Sequence, residues 1–387
     1  MPTINNDTRP KIASLEGLRG VAVGLVFMVH YAVAWTLVFP QAANDSTATG
    51  VAADIAFSLG NAGVDLFMAL SGYLIYDHLA SRPQRFTGYL GRRMRRIFPA
   101  YLVVLAIYVS LMLLDPNKSK LPASMSASVA YVVECALLIP GFFGHEPIVG
   151  IAWSLTYEIL FYLLLPVLIA VTDLRHRSWN QRVAVLSGVG LLVLLATAIT
   201  GDNERVIMFV GGMLAREFLV RFRYSFPRPI TAEIAALAVV GATFLYMAVL
   251  RGPLPFTYPL FPHSIIRSSA LFIAFPMLLA VTLGVHGVCR RLFEWLPLRL
   301  LGEISYSFYL VHNLAMRVAL PLVKAHASPS APQALYWLAM PAAFAFCLVP
   351  ALVLYATIER PISLRRPILP RDAVKLGMRL IATAPNS

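Results

Sequence analysis

The chain has 387 residues, of which 58% are hydrophobic and only 13% are charged, and its mean hydropathy is +0.71. Soluble domains carry about 25% charged residues, so this composition excludes an ordinary soluble protein and indicates a chain surrounded mainly by lipid. The 32 Lys and Arg residues outnumber the 19 Asp and Glu residues. In a membrane protein such an excess marks cytoplasmic loops, and we expect no nucleic-acid partner.

The polar first twenty residues are followed by an apolar run without a small-residue cleavage site. We therefore expect no cleaved signal peptide. The three cysteines, Cys135, Cys289 and Cys347, lie far apart and form neither a CxxC motif nor a Cys/His pair at metal-ligand spacing. We expect neither a disulfide framework nor a metal site.

Ten stretches are close to the roughly 20 apolar residues that a spanning helix needs: 20–39, 60–80, 98–114, 151–172, 183–200, 205–220, 231–250, 265–286, 302–323 and 335–358. An eleventh stretch, 128–143, is short and interrupted by Glu134, Pro140 and Gly141. The predicted fold class is an all-α, polytopic membrane bundle of about ten transmembrane helices. The stretch 128–143 is predicted to be a short re-entrant or interfacial segment.

The distribution of basic residues predicts the orientation. With the N-terminus in the cytoplasm, ten spans place 25 of the 32 Lys and Arg residues on the cytoplasmic side, as the positive-inside rule requires. An eleventh span would turn the later basic loops outward. We predict cytoplasmic termini, one transmembrane domain over residues 1–360, and a basic cytoplasmic tail, 361–387, that is too short for a second domain.

Ionisable side chains at membrane depth are costly and therefore mark candidate functional sites. His30 follows Arg19 by eleven residues in the first span, which is close to three helical turns and about 16 Å. The two side chains are predicted to share a face, with Arg19 near the cytoplasmic surface and His30 near mid-membrane. The alternative for His30 is a histidine satisfied by a neighbouring helix.

Two carboxylates lie inside predicted spans. Asp65 is surrounded by small residues in GNAGVDLFMALSGYLI, and a structural role for it is as consistent with the pattern as a catalytic one. Glu158 is flanked by apolar and aromatic residues in WSLTYEILFY, which favours a functional role.

The densest charge cluster, GRRMRRIFPAY, precedes the third predicted span. Its arginines can satisfy the positive-inside rule or bind anionic lipid. Arg93 and Arg96 also share a helix face at a spacing of three, and guanidinium groups bind phosphates bidentately. Composition leaves both interpretations open.

A polar stripe occurs in the ninth predicted span. Ser305, Tyr309 and His312 are separated by four and three residues, so they lie on one helix face. A stripe of this composition in a membrane helix favours a polar cavity over plain packing.

Six segments in this order resemble the acyltransferase-3 family, bacterial membrane O-acyltransferases that modify surface glycans and some secondary metabolites. They are SLEGLRGVAVGLVFMVH, GVDLFMALSGYLI, RRMRRIFPAY, WSLTYEILFY, LGEISYSFYLVH and IERP. Glu16 departs from the family's usual Asp, and Met68-Ala69 from its usual Phe-Val pair. We expect the membrane-only form, without the SGNH-type hydrolase domain of some members.

The resemblance implies roles for matching positions. His30 matches the essential histidine of the first helix, Arg19 the arginine before it, and Glu158 the glutamate after Trp-Ser-Leu. Arg93 and Arg96 match an Arg-x-x-Arg pair linked to the acyl donor. The predicted site therefore has a catalytic group (His30, Glu158, Asp65), a donor-binding group (Arg19, Arg93, Arg96) and an acceptor or pore-lining group (Trp153, Ser305, Tyr309, His312).

The implied function is transfer of an acyl group, first of all acetyl from acetyl-CoA, to a hydroxyl of a surface polysaccharide, another glycan or a glycosylated metabolite. The implied location is the bacterial cytoplasmic membrane. A covalent route through Tyr309 or Ser305 is an alternative. The rival from another class is a transporter of an anionic metabolite, which the lack of a visible internal repeat and the cytoplasmic arginine cluster disfavour.

Overall fold

The computed structural model describes residues 8–40, 48–115, 119–200, 204–222, 229–249, 263–326 and 334–364. Within these ranges the secondary structure is helical and includes no strand. Most of the predicted basic tail, from residue 365 onward, lies outside the described residues, as do the first seven residues.

The helices follow one another along the chain with short connections. They are α1 Thr8–Val38, α2 Ala48–Gly60, α3 Ala62–Ser81, α4 Phe86–Leu114, α5 Met125–Ala136, α6 Trp153–Val171, α7 Trp179–Thr200, α8 Ile207–Phe222, α9 Pro229–Val249, α10 His263–Gly284, α11 Val288–Phe293, α12 Leu296–Glu303, α13 Ser305–His326 and α14 Ala334–Leu354. Short 3-10 turns occupy Pro140–Phe143, Gly150–Ala152 and Glu204–Val206, and α14 continues into a π-helical segment, Tyr355–Ser363.

Eight helical segments of the described chain are long and apolar enough to cross a membrane. They are Ala13–Val38, Gly50–Ser81, Phe86–Leu114, Gly150–Val171, Trp179–Thr200, Ile230–Val249, Ile265–Gly284 and Leu335–Ser363. These match eight of the ten predicted spans and confirm a polytopic helical bundle. The other two predicted spans, 205–220 and 302–323, coincide with the helices α8 and α13.

Both α8 and α13 contain more polar residues than the eight apolar segments, because other helices surround them. Every residue of α8 from Ile207 to Glu217 is buried, and α8 lies against α3, α7 and α10. With the 3-10 turn directly before it, the α8 segment is about 30 Å long, the thickness of the hydrocarbon core. In the same way, α13 packs against α1 and α14 and buries Ser305, Ser307 and His312.

The stretch 128–143 forms α5 and the following 3-10 turn rather than a span. The twelve residues of α5 extend about 18 Å, which is shorter than the roughly 30 Å hydrocarbon core. The apolar side chains of Met125, Val129 and Val133 recur every four residues on its exposed face. This geometry agrees with the prediction of a short segment that does not cross.

Glycines bring α3 and α8 into backbone contact. A Cβ atom on Gly72 would lie 2.1 Å from the Phe209 carbonyl oxygen, and one on Gly212 would lie 1.9 Å from the Ala69 carbonyl oxygen. Only residues without a side chain allow this approach. The contact fixes the position of Phe209, which lines the cavity described next.

Candidate active site

A cavity lies among α1, α3, α4, α6, α8 and α13. It contains about 930 Å³ of empty space, including its open mouth. Four charged side chains line it: Arg19 from α1, Arg93 and Arg96 from α4, and Glu158 from α6. The cavity therefore gathers the whole predicted donor-binding group and one predicted catalytic carboxylate.

The α3 wall makes the cavity an elongated slot. Its lining residues on α3, spaced at three and four, are Val64, Phe67, Met68, Ser71, Leu74 and Ile75. From Val64 to Ile75 this face extends about 16 Å along the helix. Ile75 and Arg93 lie six and seven residues from the short connection between Ser81 and Phe86, and we infer from this that the arginines are at the Ile75 end of the slot. The α3 wall of the slot is mostly apolar.

Glu158 is fixed by hydroxyl groups. The Ser71 hydroxyl donates to its Oε1 at 3.1 Å, and the Tyr162 hydroxyl donates to the same oxygen. The Arg93 guanidinium lies 5.8 Å from the ring centres of both Tyr89 and Tyr162. At this distance both rings are within the range of a cation–π interaction with Arg93.

Arg96 forms an ion pair that local sequence pattern did not indicate. Its Nη1 lies 2.7 Å from Oε1 of Glu359 in the π-helical segment. Its guanidinium also lies 5.8 Å from the ring centre of Tyr306. A quarter of the Arg96 side chain stays exposed, whereas Glu359 is fully buried.

Tyr309 marks the boundary between the slot and a pair of histidines. Its hydroxyl donates to the Ile151 carbonyl at 2.8 Å and lies 2.7 Å from the Ser154 hydroxyl. Its ring lies 6.0 Å from that of His312. The His312 ring in turn meets the His30 ring edge to face, at 4.9 Å between centres.

Both histidines bind a backbone carbonyl through the same ring nitrogen, Nδ1. Nδ1 of His30 lies 2.8 Å from the Val26 carbonyl oxygen, and Nδ1 of His312 lies 2.8 Å from that of Tyr309. Because a carbonyl only accepts, each Nδ1 carries the proton, and in a neutral ring Nε2 is then the proton acceptor. Among the described residues, the buried Nε2 of His312 has no hydrogen-bond partner.

Asp65 and Trp153 lie around Arg205 and not on the cavity wall. Asp65 is fully buried, and its Oδ2 lies 3.6 Å from Nη1 of Arg205. Arg205 also donates to the backbone and side-chain oxygens of Asn61 at 2.9 and 3.1 Å, and lies 5.9 Å from the Trp153 ring centre. This ion pair gives the buried Asp65 a counter-charge, but neither of its carboxylate oxygens has a hydrogen-bond partner among the described residues, and the two interpretations of its role stay predictions.

The structure thus separates the predicted site residues into three neighbouring groups. The slot is lined by Arg19, Arg93, Arg96, Glu158, Ser305 and Tyr309; the histidine pair is His30 and His312; the Arg205 group contains Asp65 and Trp153. Arg19 and His30 both belong to α1, but only Arg19 is on the slot wall.

Several polar residues at the site were not predicted from sequence. Ser154 and Tyr162 stand four residues before and after Glu158, so helix spacing contained the signal for both. Glu359 and Arg205 meet their partners only in the folded chain. Within the described ranges, no group of three His, Cys, Asp or Glu side chains is arranged to hold a metal ion.

Comparison with known proteins finds bacterial relatives, including proteins of three species. "Exopolysaccharide production protein ExoZ" of Rhizobium meliloti is 28% identical over 273 residues, covering 68% of this chain and 78% of ExoZ. "O-acetyltransferase OatA" of Staphylococcus aureus is 27% identical over 330 residues, covering 78% of this chain and 50% of OatA. "Peptidoglycan O-acetyltransferase OatA" of Listeria monocytogenes is 24% identical over 348 residues, covering 82% of this chain and 51% of that protein.

This chain therefore spans about half the length of the OatA proteins that it matches. No solved structure gives a significant match. The sequence profile of the family's acyltransferase domain matches residues 12–356, a range that includes every residue of the slot and the histidine pair. On this match the chain belongs to the acyltransferase-3 family.

Proposed function

We propose that the protein transfers an acyl group, first of all acetyl, from acyl-CoA to a hydroxyl of a carbohydrate acceptor. The observation that carries this proposal is the slot, with three arginines and an apolar wall about 16 Å long. The names of the relatives support O-acetyl transfer and a polysaccharide acceptor. Nothing in the comparisons supports the rival transporter.

The slot matches the chemistry of acyl-CoA as donor. That molecule has phosphates at one end and a thioester at the end of a long uncharged arm. Guanidinium groups bind phosphate oxygens in bidentate pairs, and the buried Nε of Arg93 has no hydrogen-bond partner among the described residues, so it is available for such a bond. With the phosphates at Arg93 and Arg96, the arm lies along α3 and the thioester points toward Tyr309.

The histidine pair supplies the base. In this mechanism the neutral His30 accepts the proton of the acceptor hydroxyl through Nε2 as that oxygen attacks the thioester carbonyl. The C–O bond forms, the C–S bond breaks, and the imidazolium returns a proton to the departing thiolate. The Val26 carbonyl supports this role because it holds the proton on Nδ1.

The test uses purified protein, radiolabelled acetyl-CoA and a panel of glycan acceptors. His30→Ala removes the base and is expected to lower transfer by about 10²- to 10⁴-fold, the usual contribution of general acid–base catalysis. Arg93→Ala is expected to raise KM for acetyl-CoA.

The matched control is Arg92→Ala. Arg92 belongs to the same cluster but is exposed, bonds to Gln84 and does not line the slot, so near-normal transfer is expected. Full activity of His30→Ala would contradict the mechanism. A trapped acyl-protein in single-turnover assays would favour the covalent route, and solute uptake into proteoliposomes without CoA turnover would favour the transporter.

A further inference from the structure

The ion pair between Arg96 and Glu359 joins the slot to the end of the helical bundle. Arg96 lies on α4 and reaches the slot, while Glu359 belongs to the π-helical segment Tyr355–Ser363, which packs against α4. Nη1 of Arg96 and Oε1 of Glu359 are 2.7 Å apart. Glu359 itself is absent from the slot wall, so it reaches the slot through the residues that it contacts, Arg96 among them.

Glu359 is held in place from the other side. Its second oxygen, Oε2, accepts the backbone N–H of Ser307 at 3.1 Å and the Ser307 hydroxyl at 2.5 Å. Ser307 follows Tyr306, whose ring lies beside the Arg96 guanidinium. Oε2 is therefore hydrogen-bonded, whereas Oε1 faces Arg96 in the ion pair and accepts no hydrogen bond from the described residues. The helices α13 and α4 and the π-helical segment thus meet at one buried charge.

This arrangement leaves part of Arg96 for a ligand. A guanidinium has five N–H donors, and the contact with Glu359 involves only Nη1. An anion entering the slot cannot replace Glu359, because a buried carboxylate that loses its cation is left uncompensated. Arg96 can then bridge the buried Glu359 and an anion in the slot.

We propose that Glu359 is a positioning residue for the acyl donor: it fixes Arg96 so that the remaining N–H groups bind a phosphate oxygen of acyl-CoA. This inference rests on the proposed function. Glu158, the carboxylate that lines the slot, offers Arg96 another partner when Glu359 is lost. The Arg96 guanidinium would then turn toward Glu158 and away from the position of the phosphate.

The experiment compares KM and kcat of Glu359→Gln with those of wild type for two donors, acetyl-CoA and acetyl-pantetheine. Pantetheine lacks the phosphates. For acetyl-CoA, Glu359→Gln is expected to raise KM about tenfold, roughly the loss of one charge-assisted hydrogen bond, with kcat within about twofold of wild type. For acetyl-pantetheine, the wild type and the variant are expected to give the same KM.

The control is Glu303→Gln. Glu303 accepts a hydrogen bond from Tyr355 at 2.5 Å, so it contacts the same π-helical segment without touching Arg96. A merely structural role for Glu359 would lower the melting temperature and affect both donors equally. Should Glu359→Gln fail to fold, Ser307→Ala loosens the carboxylate and is expected to raise KM for acetyl-CoA by a smaller factor.

The two proposals fail in different ways. A wild-type protein that neither binds CoA nor transfers from acetyl-CoA would contradict the proposed function. Active wild type together with an unchanged KM in Glu359→Gln, or with an equal KM increase for both donors, would overturn the positioning role alone.

Discussion

At the scale of single residues, Glu158 is the slot residue whose charge is opposite to that of its neighbours. Three arginines line the same cavity, and hydrogen bonds from Ser71 and Tyr162 keep the carboxylate in one orientation. Its negative charge therefore acts on the arginines from a fixed position. A substitution that removes the charge of Glu158 but keeps the size of its side chain therefore tests the effect of the charge alone.

Glu158→Gln keeps the size of the side chain and one acceptor oxygen but removes the charge. We expect at least about a tenfold fall in kcat/KM for acetyl-CoA, equivalent to about 1.4 kcal/mol, because the slot loses the charge that organises its arginines. The matched control is Asp173→Asn, an exposed carboxylate just after α6 whose positive φ of 49° suits Asn. Unchanged kinetics of Glu158→Gln would limit this residue to a packing role.

The residues that sequence predicted well are those whose geometry is local. Arg93 and Arg96 share a face because they are three residues apart, and Ser305 and Tyr309 share one because they are four apart. The Arg96–Glu359 and Asp65–Arg205 ion pairs join distant parts of the chain, and no helical spacing reports such partners. For this reason, six predicted residues met in the slot, while Glu359 and Arg205, the ion-pair partners of Arg96 and Asp65, were not predicted.

At the scale of helices, the contact between α3 and α8 depends on residues without side chains. In Gly72→Ala the new Cβ would meet the Phe209 carbonyl oxygen at 2.1 Å, so the two backbones must separate. Overpacking of this kind costs about 1–3 kcal/mol, and we expect a lower melting temperature together with reduced transfer, because Phe209 lines the slot.

Gly188→Ala in α7 is the matched control, since a Cβ there meets nothing within 4 Å and alanine favours the helix. Thermal unfolding in detergent, followed by the transfer assay, measures both effects. Equal melting temperatures for the two variants would show that α3 and α8 can separate without cost.

Apolar run length predicted the helices in the eight segments that are long and apolar enough to cross a membrane. It was less informative where a helix is surrounded by protein, as in α8, because burial among other helices relaxes the need for apolar residues. It also missed α2, α11 and the amphipathic α12, which packs against α1. There, a Cβ on Gly20 would lie 2.1 Å from the Leu298 carbonyl oxygen, a contact that depends on tertiary structure.

At the scale of the whole molecule, the positions of the three native cysteines allow cysteines introduced at the surface to be labelled selectively. Cys135, Cys289 and Cys347 are buried. Burial, together with the nearby Glu233 carboxylate, raises the pKa of the Cys289 thiol to about 11. Because the thiolate is the reactive form, we expect no maleimide labelling of the folded wild-type protein at pH 7.5, and labelling after denaturation.

This low background permits a test of membrane orientation, on which the access of cytoplasmic acyl-CoA to the arginines depends. The predicted orientation puts Glu146, between α5 and α6, outside the cell and Asp173, after α6, inside; the two side chains are 85% and 65% exposed. In intact cells we expect an impermeant maleimide to label Glu146→Cys and not Asp173→Cys, while permeabilised cells label both. The reverse pattern would place the arginine end of the slot away from the cytoplasm, and a donor other than cytoplasmic acyl-CoA would then be required.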